Sequence, residues 1–193
     1  PAFTQIELPD NHTAGVHPNY PSPRAEVADN DLALGRIVDG ISHSKFWKTT
    51  LILVIEDDSQ NGLDHVDGHR TVAFCISPYT KRHTVIHNLY THVSLVRTIG
   101  LVLGFPPMTR FDRTATPLTA CFNATPDFTP YNHVPNQVPL DEKNPPKSAM
   151  RPELRRLMAE SEKQNFSIPD VADTKVITQA MWASVRPGQP FPW

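Results

Sequence analysis

The sequence predicts a mixed α/β fold with long proline-rich loops, and three observations lead to this prediction. The chain has 193 residues and 20 prolines, about twice the usual share of ~5%. Proline fixes its own backbone angle and interrupts helices, so many connections should be irregular. Two short apolar runs have the composition of strands, and several longer segments carry apolar residues at helical spacing.

The chain begins with an irregular segment and a helix. Residues 1–23 are punctuated by prolines and a glycine, which predicts an extended loop. A helix is predicted over residues 24–44, because apolar residues recur there on one helical face. These residues are Val27, Leu34, Ile37, Val38 and Ile41.

Two strands and a second helix follow. Residues 51–55 are apolar throughout and residues 71–77 are mostly so, which is typical of strands buried on both faces of a parallel sheet. The next helix is predicted over residues 91–104, where Leu95, Ile99, Val102 and Leu103 share a face and Gly104 ends the periodic pattern. Two strands are few for a stable sheet of this class, so either further strands are hidden in loops or the chain is part of a larger domain.

The remainder of the chain is rich in proline and has little periodicity until its last two predicted helices. Prolines recur every few residues over residues 109–146, which predicts a loop that runs over the surface of the domain. Two more helices are predicted over residues 151–163 and 173–184. The predicted organisation is therefore a first part at 1–122, a proline-rich wrapping loop at 123–150 and a helical tail at 151–193 that packs on the same domain.

Charge and hydropathy exclude several kinds of partner. The chain has 18 basic and 20 acidic side chains and a formal charge of −2, without the basic patch that nucleic acid binding requires. The longest apolar run, residues 51–55, is far shorter than the ~20 residues of a membrane-spanning helix. We therefore expect no nucleic acid partner and no membrane span.

Consecutive acids end the first predicted strand. Asp57 and Asp58 repel each other unless a cation or a proton lies between them, and a metal ion would neutralise both. Two solvated acids that open a turn are the alternative explanation. Carboxylates at the carboxyl end of a strand also occupy the position at which α/β proteins bind their ligands.

Additional ligand types lie nearby in the sequence. Asp64, His65, His69 and Arg70 fall within seven positions, and mixed His and Asp donors suit a transition metal. Asp10 and His12, in the first loop, form a third cluster. Arg70 is a candidate to contact an oxyanion. Five other histidines lack acidic neighbours and are interpreted as structural or surface residues, with His92 as an exception because it starts a helix: His43, His83, His87, His92 and His133.

Several motifs resemble the bacterial phosphoesterase family, which groups acid phosphatases and phospholipase C-like enzymes within the alkaline phosphatase superfamily. The motifs occur in the expected order and include LPDNHT at 8–13, VADNDLALG at 27–35, FWK at 46–48, EDD at 56–58, GLDHVDGHRT at 62–71 and ISPY at 76–79. The resemblance covers residues 8–122, with a weaker match at 180–182. It implies the C-terminal part of a three-layer α/β/α fold, with residues 1–122 as the C-terminal half of the catalytic domain.

The resemblance also implies a site with two divalent cations, drawn from Zn, Mn, Ca and Mg. Asp57 and Asp58 would bind one cation, and Asp58 in place of the superfamily's usual histidine favours Mn, Ca or Mg there. His69 and His12 would bind the other, with Asp10 in addition, although the family reads Asn-Asp-His where this chain reads Asp10-Asn11-His12. Asp64 and His65 are further candidates for metal ligands.

The function implied is hydrolysis of phosphate esters. The superfamily's Ser or Thr nucleophile lies upstream of these motifs, so the N-terminal part of the same protein would supply it and the isolated chain would be inactive. The alternatives are a fragment or degenerate module that binds a metal or a partner without turnover, and a phospholipase C-like or sulfatase-like hydrolase. The family further implies an exported bacterial protein, periplasmic or extracellular.

Overall fold

The computed structural model describes residues 1–8, 16–56, 71–165 and 173–192. These residues form helices and a small sheet, which confirms the mixed α/β class. The elements are α1 (Pro23–Ser42), β1 (Ile52–Ile55), β2 (Ala73–Ile76), α2 (His92–Leu103), α3 (Arg110–Thr114), α4 (Pro152–Ser161) and α5 (Thr174–Val185). Single 3-10 turns occur at Trp47–Thr49, Thr119–Cys121 and Lys147–Ala149.

The chain divides into two compact units. Among the described residues, the first unit comprises residues 1–6, 38–56 and 71–131. The second comprises residues 7–8, 16–37, 132–165 and 173–192. The sheet, α2 and α3 therefore belong to the first unit, and α4 and α5 to the second.

The sheet in the first unit consists of β1 and β2, which are antiparallel. Ile52 lies opposite Ile76, and Ile55 lies opposite Ala73. The parallel arrangement expected from the apolar runs is thus wrong for this pair. The strands are also not buried on both faces, since every residue of β1 is half-buried and Phe74 in β2 is 52% exposed. Outside this pair, the described residues form only two isolated bridges, Pro21–Lys143 and Thr80–Phe122, so the shortage of strands remains in the part of the chain that the structure describes.

Helix α2 follows the predicted bounds but buries a different face. Gly104 ends it with a φ of 75°, a left-handed conformation that favours glycine. Leu95 of the predicted apolar face is buried, whereas Val102 and Leu103 are exposed. Thr98 is buried, and its hydroxyl accepts a hydrogen bond from the Leu118 amide at 2.9 Å. A polar contact, which apolar periodicity does not detect, therefore helps to set the orientation of this helix.

Helix α1 starts one residue earlier than predicted, at Pro23. The Ser22 hydroxyl accepts a hydrogen bond from the Ala25 amide at 3.2 Å, so Ser22 caps the helix and proline occupies its first turn. Val38 is buried as expected. Val27 is exposed instead, and Leu32, outside the predicted stripe, is buried.

The second unit has its own apolar core, built by α4 and α5. Asp173 caps α5 by accepting hydrogen bonds from the amides of Lys175 and Val176. The core residues are almost completely inaccessible to solvent: Val16, Met150, Leu157, Met158, Ala180 and Ala183. The two helices predicted near the end of the chain are thus confirmed, with bounds that differ by no more than two residues at each end. No helix in the described ranges is both long and apolar enough to cross a membrane.

Candidate functional site

The predicted metal ligands lie outside the described residues. This holds for the acids and histidines of the three clusters and for the arginine beside them: Asp10, His12, Asp57, Asp58, Asp64, His65, His69 and Arg70. Within the ranges that are described, no three His, Cys, Asp or Glu side chains are grouped closely enough to bind a metal ion. The metal site therefore stays a prediction, and the structure describes the residues on either side of the segment 57–70.

The described residues on either side of residues 57–70 are held together. The Glu56 amide donates a hydrogen bond to the Val72 carbonyl at 3.3 Å, which extends the ladder by one step beyond the Ile55 to Ala73 pair. The Thr71 hydroxyl donates to the Glu56 carboxylate at 2.5 Å. In an antiparallel pair, the carboxyl end of one strand lies beside the amino end of the other. The chain therefore leaves β1 and enters β2 at the same end of the sheet.

The start of α2 lies at this same end. The His92 ring nitrogen Nε2 is 3.1 Å from the Glu56 carbonyl oxygen, so the ring donates a hydrogen bond there. In the neutral ring, this donation leaves Nδ1 as the acceptor nitrogen. Thr91 and Ser94 fix the start of the helix through a hydrogen bond of 3.1 Å from the Thr91 amide to the Ser94 hydroxyl. Glu56, Thr71 and His92 thus surround one end of the sheet.

Sequence reasoning did not include this last residue in the site. His92 has no acidic neighbour in sequence, and its only signal was its position at a helix start. The other four histidines interpreted as structural or surface residues are exposed, and His43 pairs with Asp39 one helical turn earlier at 3.0 Å. Their exposure agrees with the interpretation as surface residues.

The polar contacts around β2 also fix the proline-rich segment that follows α3. Arg82 lies 3.1 Å from the Asp127 carboxylate and stacks on the Tyr131 ring at 4.3 Å. The Thr129 amide and hydroxyl hydrogen-bond to Asp127 and lower the pKa of that carboxyl, and the positive charge of Arg82 adds to the effect. This network holds residues 127–131 in the first unit.

A groove of about 740 Å³ lies in the second unit, between α1, α5 and residues 134–138. Its walls are largely aliphatic, with Val27, Val134 and Val185 exposed in it. Among the described residues that line it, Arg24 and Asp31 are the charged ones, and none is a His or a Cys. This composition does not suit nucleophilic or metal chemistry, so the groove is not the predicted site.

Comparison with known proteins finds no matching family model, no matching curated protein and no matching solved structure. The resemblance to bacterial phosphoesterases therefore depends on the motifs themselves.

Proposed function

We propose that the chain is the C-terminal part of a metal-dependent phosphoesterase with an alkaline-phosphatase-like three-layer fold. The observation that carries this proposal is the hydrogen bonding that joins the residue after β1 to the residues before β2. Residues 57 and 70 are covalently attached to Glu56 and Thr71, whose side chains are hydrogen-bonded to each other. Residues 57–70 therefore connect two points of the chain that lie side by side, which supports the proposal that their acids and imidazoles share a site.

The donor chemistry of the predicted ligands fits divalent cations. Asp57 and Asp58 would contribute carboxylate oxygens to one cation, and His69 with His12 would contribute ring nitrogens to the other. Bound cations would supply Lewis acidity toward a phosphoryl oxygen. Arg70 would donate charge-assisted hydrogen bonds to the same phosphoryl group.

The exposed sheet supports the proposal that the chain is one part of the enzyme. Strands whose residues are apolar throughout are usually covered on both faces. Here Val72 and Phe74 are more than half exposed. An N-terminal part of the same protein would cover these side chains, extend the sheet and contribute the nucleophile. The bound substrate would be a phosphate ester, and the whole protein would be exported by a bacterium.

The first test measures metal affinity. Asp57→Asn and His69→Ala should each weaken binding of Mn²⁺ or Zn²⁺ about 10-fold or more, because each removes a direct ligand. Isothermal titration calorimetry on the 193-residue chain gives the affinities. Asp29→Asn and His87→Ala are matched controls, since both residues are exposed and distant in sequence from the clusters, and they should leave the affinity unchanged. Equal affinity in all five proteins would reject the metal site.

The second test measures turnover. The isolated chain should bind metal without hydrolysing a generic aryl phosphate, and addition of the N-terminal part should restore hydrolysis. Rapid hydrolysis by the isolated chain would show that the nucleophile lies within these 193 residues. Metal binding without turnover in the intact protein would favour the degenerate module, and preference for a phosphodiester or sulfate ester would favour the phospholipase C-like or sulfatase-like alternative.

A further inference from the structure

We infer that Cys75 and Cys121 form an intramolecular disulfide under oxidising conditions, which links β2 to the 3-10 turn Thr119–Cys121. The chain contains only these two cysteines, and both are present as free, half-buried thiols. The two residues are distant in sequence, and the fold brings them together. A disulfide here requires no phosphoesterase activity.

Backbone hydrogen bonds fix the segment that carries Cys121 beside the residues that follow β2. The Lys81 amide donates to the Cys121 carbonyl at 2.8 Å, and the Asn123 amide donates to the Tyr79 carbonyl at 2.7 Å. Between them, Thr80 and Phe122 form an antiparallel bridge. The position of Cys121 is therefore determined by the ladder, and it does not depend on the conformation of a free loop.

The two side chains interact directly. Each thiol contributes to the pKa shift of the other, which places the two sulfur atoms within reach of each other in the folded chain. Burial, together with the neighbouring thiol, raises the pKa of Cys75 to about 12, and burial also raises the pKa of Cys121. Both sulfurs are therefore protonated at neutral pH, which makes them poor nucleophiles and slows their attack on an oxidant, so the disulfide should form faster in alkaline buffer.

A metal site is the other use that proteins make of paired thiols. It requires further ligands, usually four in a structural zinc site. No third His, Cys, Asp or Glu completes such a group among the described residues. A covalent link between the two sulfurs needs no additional ligand, and an exported protein would meet oxidants that form it.

The reaction balances with a disulfide oxidant of the glutathione class. Each cysteine thiol loses one proton and one electron, and the Cys75–Cys121 bond forms. The sulfur–sulfur bond of the oxidant breaks, and its two sulfurs take up the two protons and two electrons as thiols. The intermediate is a mixed disulfide between one cysteine and half of the oxidant.

The test is an equilibrium titration of the 193-residue chain with reduced and oxidised glutathione. Non-reducing digestion and mass spectrometry quantify the peptide pair that contains Cys75 and Cys121. The equilibrium constant should be at least about 10-fold larger under native conditions than in concentrated urea, because the fold raises the effective concentration of one thiol at the other. The oxidised chain should also unfold at a temperature about 5 °C or more above that of the reduced chain.

Cys75→Ser and Cys121→Ser are the controls, and each should form only a mixed disulfide with glutathione. Equal equilibrium constants in buffer and in urea would overturn the inference, since they would show that the fold does not bring the thiols together. Predominant mixed disulfides or intermolecular dimers in the native parent chain would overturn it as well.

Discussion

Apolar residues are incompletely buried in the sheet of the first unit, whereas those at the centre of the helix pair in the second unit are fully buried. Strand β1 is apolar at every position, yet each of its residues is only half-buried. Helix α4 carries four charged residues among ten, yet Met158 is completely buried. The α4–α5 pair therefore has its complete apolar partner within the described chain, whereas the sheet does not.

Polar contacts stabilise the first unit where apolar packing is incomplete. The Ser42 hydroxyl accepts a hydrogen bond from the Tyr131 amide at 2.9 Å, and Thr98 accepts one from Leu118. A buried amide left without a partner costs roughly 1–3 kcal/mol. The two units should consequently respond to different kinds of substitution, apolar truncation in the second and removal of hydrogen-bond acceptors in the first.

The largest effect is expected at the centre of the α4–α5 core. Met158→Ala should lower the free energy of unfolding by about 2–5 kcal/mol, because it leaves a cavity among fully buried side chains. Urea unfolding followed by circular dichroism measures the change. Met108→Ala is the matched control, since that side chain is 69% exposed and its loss should have little effect. Similar losses at both positions would contradict the difference between the regions.

A smaller loss is expected where a hydroxyl sets the orientation of α2. Thr98→Val keeps the shape of the side chain but leaves the buried Leu118 amide without its acceptor, which should cost about 1–3 kcal/mol. Thr114→Val, at an exposed position in α3, should change stability by less. The same urea titration compares them, and equal values would show that the Leu118 hydrogen bond does not stabilise the first unit.

Truncation on the open sheet should have a still smaller effect. Phe74→Ala removes a side chain that is half exposed, so we expect a loss of about 1 kcal/mol or less in the isolated chain. A loss as large as that of Met158→Ala would mean that the sheet is already covered. If the N-terminal part covers this face, the same substitution should be clearly more destabilising in the intact protein.

The smallest effect concerns the ion pair beside β2. The pKa of Asp127 is lowered in the folded chain, so its contribution to stability is present above the unfolded pKa of about 3.9 and is lost as the pH falls through the folded value. Asp127→Asn should therefore lower the melting temperature slightly at pH 7, and the difference from the parent should vanish in acid. Melting curves from pH 7 to pH 3 test this, with the exposed Asp141→Asn as control. A difference that grows in acid would contradict the assignment.

Local sequence patterns predicted the bounds of helices and strands well, but they did not predict how these elements pair with one another. Helices α2 and α5 lie within two residues of the predicted bounds because apolar spacing, Gly104 and Asp173 are local signals. The parallel sheet was wrong because an apolar run indicates burial but does not specify the direction of the neighbouring strand. The predicted ligands lie outside the described residues, so their convergence stays a prediction. His92 was recognised as a neighbour of this end of the sheet only from its distance to Glu56.

The class of fold, the positions of both strands and of every helix except α3, and the order of motifs that resembles a phosphoesterase follow from the amino-acid sequence alone. Each of these depends on residues that are close together in the chain. Helix α3 lies in a stretch that was predicted as a loop. Three features are visible only in the folded chain: β1 and β2 are antiparallel, Thr98 accepts a hydrogen bond from the Leu118 amide, and Cys75 lies near Cys121. These features depend on contacts between residues far apart in sequence, and such contacts leave no periodic signal along a single chain.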